Sequence, residues 1–167
     1  MATHAVVRTD NMTGTDVRSQ LVSIRYMGAD GKAAAEIDNG NVLKVGSLLD
    51  SQREIFEGTD VAADTAITDV VLVATVETMY DERKKNLTEF VNEAGTNCRG
   101  YRLHHGDVFS VTEDALTGDF AVGNVIELAK GTKLHVTASA TSGATVVGNL
   151  EAIEVAGRYT YYVIRVK

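Results

Sequence analysis

Proline and tryptophan are absent from all 167 residues, and cysteine occurs once. Without proline, the turns fall to Gly, Asn, Asp and Thr, and no slow prolyl isomerisation stands in the folding path. That suits a protein made quickly and in large copy number. The single thiol, Cys98, excludes an internal disulfide framework and a zinc knuckle. No His/Asn pairing can be placed beside it to make a nucleophile, so it reads as a small, partly buried residue. Sugar sites usually expose aromatic platforms, and besides lacking tryptophan the chain has few tyrosines outside its C-terminal strand. No apolar run approaches the length of a membrane span. The opening residues, MATHAVVRTDNMTGTD, carry neither the basic nor the apolar region of a signal peptide. The chain is therefore expected to be made in a cytosol and not exported by that route.

Positive charge is also in deficit. Sixteen Lys and Arg stand against 23 Asp and Glu, a formal net charge of −7. A nucleic-acid grip needs clustered cations to displace counterions, so neither nucleic acid nor an anionic membrane surface is an expected partner. A basic partner stays open, and the plain effect of the charge is solubility. An apolar fraction of 44% is ordinary for a globular protein, and the length suits one well-buried core.

What is present is a rhythm of short apolar runs and glycine turns. In Tyr101–Val136, the pairs Gly106-Asp107, Gly118-Asp119, Gly123-Asn124 and Gly131-Thr132 each interrupt an apolar run. Such residues tolerate positive φ or bond back to the local backbone. Closely spaced turns of this kind predict a mainly β fold, a compact β-sandwich or barrel. Gln20–Met27 alternates as a strand, Lys32–Ile37 reads as a short second one, and Asp38-Asn39-Gly40-Asn41 is the strongest hairpin signal, returning through Val42–Val45. Ile67–Val76, the most β-branched segment, predicts a central strand buried on both faces. Leu87, Phe90, Val91 and Ala94 fall on one face of a predicted short helix over Asp81–Ala94, closed by Gly95. Val146–Val155 and Tyr159–Val166 read as a final strand pair around Ala156-Gly157, with apolar or aromatic residues on both faces of the second. Thr137–Thr145 reads as a small-residue loop. Residues 1–17 are polar and threonine-rich and predict an extended N-terminal arm, ahead of a single β-rich domain over 18–167.

Catalytic and metal chemistry find little support. His104 and His105 are adjacent, so on a strand they point to opposite faces and cannot chelate one ion together; only His4 and His135 remain. Asp107 follows a tight turn, and Gly-Asp is turn chemistry before it is catalysis. No phosphate-binding loop and no nucleophile elbow occurs, and Arg83-Lys84-Lys85 reads as a solvated face. No catalytic residue, metal ligand or cofactor is expected.

Three features resemble the small capsid decoration (head auxiliary or cement) proteins of tailed bacteriophages. They are the polar arm leading into a strand, the block EIDNGNVLKVG over Glu36–Gly46, and a longer series. That series runs from Tyr80-Asp81-Glu82 through Phe90-Val91-Asn92-Glu93-Ala94-Gly95 to Arg99-Gly100-Tyr101 and on to Gly106–Thr112. The resemblance implies a β-rich, non-enzymatic protein on the outer surface of an icosahedral head, often a trimer, that binds the major capsid protein and reinforces capsomer junctions. Contacts are then expected on the arm, at Thr3, His4, Val6, Arg8 and Met12, and on the aromatic strand, at Tyr159, Tyr161 and Tyr162. Deleting the arm is expected to weaken attachment and leave the fold intact. A carbohydrate- or receptor-binding β-module of a phage particle is the rival reading.

Overall fold

The structure, a computed structural model, describes residues 3–15, 20–81, 83–84 and 86–167. Strand β1 (Val7–Asn11) is followed by five strands that close into a barrel. These are β2 (Leu21–Tyr26), β3 (Val42–Leu48), β4 (Ile55–Thr59), β5 (Val70–Val73) and β6 (Cys98–Arg102), joined in the order β2-β4-β3-β5-β6. Only β2 and β4 run parallel; the other barrel pairs are antiparallel. The remaining strands are β7 (Val108–Val111), β8 (Leu116–Gly118), β9 (Val125–Leu128), β10 (Leu134–Thr137), β11 (Val146–Ala156) and β12 (Tyr159–Val166). With β1 they form a seven-stranded sheet ordered β1-β7-β12-β11-β9-β10-β8.

Alternation along the barrel strands produces two cores. Val22, Ile24, Leu43, Val71, Val73 and Cys98 form one cluster. Val42, Val70, Leu72 and Tyr101, at the alternate positions, join Phe109, Val111, Ile126, Leu150 and Ile164 of the sheet in a larger one. Strand β5 is shorter than the predicted Ile67–Val76: Ile67–Asp69 form a 3-10 turn and Val76 is 62% exposed. It contributes to both clusters, so all four of its residues are buried, as its β-branched run predicts. Each such side chain contributes about 1.5–3 kcal/mol on burial. The first cluster leaves little spare room. A Cβ on Gly58 would sit 2.9 Å from Ile24 and Leu43, and one on Gly100 would sit 2.8 Å from Val71.

The sheet carries the predicted glycine rhythm: Gly106, Gly118, Gly123 and Gly131 all take positive φ. Gly118 is the tightest of them. At φ +104° a Cβ there would stand 2.1 Å from the Val136 carbonyl oxygen.

Several expectations are corrected. The N-terminal segment is no free arm over its described part. β1 pairs with β7 through Val7↔Val111, Arg8↔Ser110 and Asn11↔Val108, and Ala5, Val7 and Met12 enter the large core. The buried Asp107 carboxylate accepts hydrogen bonds from the Thr13 amide at 2.7 Å, the Thr13 hydroxyl at 2.6 Å and the His104 amide at 2.9 Å. Polar threonines hid the apolar alternation, and the partner strand lies a hundred residues away. Met1, Ala2, Asp16 and Val17 lie outside the described residues.

The helix over Asp81–Ala94 does not form among the described residues; one 3-10 turn, Leu87–Glu89, replaces it. Asn86 and Glu89 make a capping box, but Phe90 then turns extended at ψ 135°. Asn92 exchanges backbone hydrogen bonds with Ile37, and its side-chain amide donates to the Ile37 carbonyl and to Asn39. Tertiary pairing of the backbone outweighs the helical period. Lys32–Ile37 holds no strand, only that bridge at Ile37. Asn39-Gly40 therefore makes a turn (Gly40 φ +85°) without a hairpin. Asn39 itself is buried and ties Thr75 to the same network. The loop after β10 is pinned by buried Glu127, which accepts hydrogen bonds from the Thr141 amide at 2.8 Å and its hydroxyl at 2.6 Å.

Candidate partner-contact face

Ladder registers place Arg8, Ser110, Val163 and Ala152 in one cross-strand row over β1, β7, β12 and β11. Side chains two residues along a strand share a face, so Tyr161 and Tyr159 follow on β12, and Glu154 lies opposite Tyr161 on β11. The Arg8 guanidinium lies over the Tyr161 ring, 4.2 Å from its centroid. Its Nη2 donates to Glu154 at 3.0 Å and to the Ser110 hydroxyl at 3.3 Å, while Nε faces Asp10 at 3.5 Å. Ser110 donates in turn to Asp10. The Tyr159 and Tyr161 rings are 6.1 Å apart and tilted.

Energetically the cluster is modest. Half-exposed ion pairs contribute about 0–1 kcal/mol, and a cation–π contact at such a site about 0.5–1. Its effect is to hold a cation and two aromatic rings in fixed positions. Burial raises the Tyr161 phenol above its ordinary pKa, and the Arg8 charge opposes that shift.

The face continues onto a projecting hairpin. The β11 ladder to β9 ends at Asn149, and the β12 ladder to β7 begins at Tyr162. From Ala152 to Tyr161 the two strands therefore pair only with each other, around a two-residue turn with Gly157 at φ +64°. Glycine at the first central position is what a type II′ hairpin turn requires. On the side opposite Arg8, Ile153 is 41% and Val155 78% exposed, which is more apolar exposure than the fold itself needs. Near the tip, Arg158 donates to the Asn86 side chain.

Of the residues expected to meet a partner, Arg8 and Tyr159 come together here part-exposed, while Tyr161 beside them is buried, 5% exposed. Thr3 is exposed at the start of the described chain. His4 is held by Asp38 at 2.7 Å. Val6 and Met12 are core residues, 2% and 1% exposed, and present no surface. Tyr162 points to the other side of β12, where its ring packs 5.0 Å from Phe120. Asp10, Ser110, Glu154, Ile153 and Val155 are additions that the sequence reading missed. Glu154 had a signal: a two-residue turn at Gly157 places it opposite Tyr161.

Other polar groups serve the fold. His104 Nδ1 lies 3.2 Å from the Arg102 carbonyl, and His135 Nδ1 lies 3.2 Å from the Thr117 hydroxyl. Among the described residues no group of three or more His, Cys, Asp or Glu is placed to hold a metal. Burial pushes the Cys98 thiol up to about 11, against the lowering effect of its hydrogen bond with Thr75. At pH 8 only about one thiol in a thousand is then ionised. Folded protein is expected to react with a thiol-directed disulfide reagent orders of magnitude more slowly than unfolded protein. Equal rates would show Cys98 to be accessible.

In its class, the molecule is a mainly β protein with a five-stranded barrel packed against a seven-stranded sheet. No protein-family model, no curated protein and no solved structure matches the chain.

Proposed function

We propose that the chain is a virion structural protein that binds the outside of an icosahedral phage head, through the major capsid protein, and stabilises capsomer junctions. The observation that carries this reading is the projecting hairpin. It sets Arg8 and the half-buried Tyr159 on one side, over a buried Tyr161, and the exposed Ile153 and Val155 on the other. Buried aromatic and arginine anchors dominate binding energy at interfaces, and a subunit bridging two neighbours adds its binding free energy against their separation. The sequence resemblance supplies the shell as partner, and a homo-oligomer, a trimer by that resemblance, would repeat the contact over a lattice.

Recombinant protein at saturation is expected to raise the thermal or osmotic resistance of heads that lack it. Val155→Asp and Arg8→Ala are expected to weaken attachment about tenfold each while the protein stays folded. Unchanged head stability with wild-type protein would sink the reading. Full attachment by both variants would move the contact off the hairpin. The rival, a saccharide-binding module, is favoured by one separate observation, the setting of Tyr80.

A further inference from the structure

Tyr80 is 93% exposed and Val76 62%, and the two lie together in the long connection between β5 and β6. They border a half-open cleft of about 510 Å³ that Phe90 also lines. That volume lies within the small-ligand range of about 300–1,000 Å³. Neither side chain is buried by the fold, so the apolar surface they show is not explained by stability.

The polar lining narrows the ligand. Asp81 and Glu89 line the cleft but are engaged, Asp81 by Arg83 at 2.9 Å and Glu89 by the Asn86 amide at 2.9 Å. Asn97 accepts from Arg25 through its oxygen, which leaves its amide hydrogens to the cleft. Glu93 and the Tyr80 hydroxyl also line it without a side-chain partner among the described residues, and Lys84 lines it close enough to Asp81 to favour that carboxylate's charged form. Among the described residues the lining carries charges of both signs. Donors and acceptors are mixed around an exposed aromatic ring.

We infer that this cleft binds a neutral saccharide of about two rings. A sugar hydroxyl both donates and accepts, which suits the Lys84, Glu93 and Asn97 groups together. The C–H face of a pyranose is apolar with positively polarised hydrogens, and it stacks on the negative face of a phenol ring. The inference rests on the rival, carbohydrate-binding reading and not on the capsid reading, so the two can fail separately.

Maltose, lactose and chitobiose are titrated separately into the isotope-labelled full chain, with backbone amide shifts as the readout. At least one is expected to shift amides within 75–81 and 90–97, with a dissociation constant of about 1 mM. Tyr80→Ala is expected to weaken that binding about tenfold, and Tyr80→Phe to keep most of it, with amides elsewhere unmoved in both variants. Absence of any shift in those amides with all three sugars at about 50 mM overturns the inference. Saturable binding that Tyr80→Ala leaves unchanged overturns it too. A result on capsid attachment, in either direction, bears on the other proposal alone.

Discussion

Gly148→Ala is expected to destabilise the protein by about 3 kcal/mol, at the upper end for overpacking substitutions. The new Cβ would lie 2.0 Å from the Arg165 carbonyl oxygen and 2.8 Å from its carbon. Both atoms are backbone, so no rotamer change relieves the contact. Gly148 is also paired on both sides, with Val166 on β12 and Ile126 on β9, so relief must come from moving a central strand. For a chain of this length the loss corresponds to a melting temperature lower by roughly 6–12 °C. Gly118→Ala meets a similar clash and adds backbone strain at φ +104°. Yet β8 is a three-residue strand at the sheet edge, where the chain can yield. The central substitution is therefore expected to be the worse of the two. Calorimetry on both variants decides the matter, and a milder Gly148→Ala would show that the sheet centre relaxes more easily than its edge.

Asp107→Ala is expected to remove about 4 kcal/mol. Its carboxylate is 3% exposed and satisfies three donors, on Thr13 and His104. Truncation leaves those donors without their acceptor, and each unpaired buried polar group costs about 1–3 kcal/mol. The damage should be directional. Thr13 follows β1, so loss of the clamp is expected to free β1 from the sheet edge before the rest of the fold opens. Trypsin should then cut after Arg8 at temperatures where the wild type resists. A variant that melts within about 2 °C of wild type, with Arg8 still protected, would show that β1 is held by Ala5, Val7 and Met12 instead. Removing the whole segment is now expected to unfold the protein, because it takes the buried Ala5, Val6, Val7 and Met12 with it.

Legibility in the sequence tracks how local each determinant is. The β5 run needs no distant information: four β-branched or leucine residues in a row can be satisfied only between two packed layers, and the structure supplies both. The glycine turns are equally local. The segment around Phe90 shows the opposite case. Its helical period is real, but Asn92 has a better backbone partner in Ile37, 55 residues earlier, and periodicity cannot register that. β1 was hidden for the same reason, since Arg8 reads as an exposed charge until Ser110 and Tyr161 are placed beside it. Of the candidate partner-contact face, the C-terminal tyrosines were visible as a two-sided strand. Their brace, drawn from the other end of the chain, was not. Tyr80 stands in the sequence only as the start of the Tyr80-Asp81-Glu82 run, because one tyrosine in a polar stretch carries no periodic signal.

The strand order also sets a timetable for synthesis. β2 to β6 occupy one continuous stretch, so the barrel can close as soon as residue 102 is available. The sheet has to wait. β12 lies between β7 and β11 in its interior, and β1 needs β7 as its partner. At translation rates of about 5–20 residues per second, β1 emerges on the order of ten seconds before β12 does. From the release of residue 102 until β12 arrives, the barrel would show Val42, Val70, Leu72 and Tyr101 to solvent, on the wall that later meets the sheet. The nascent chain is thus most prone to aggregation after the barrel has formed. Chaperone capture should concentrate there.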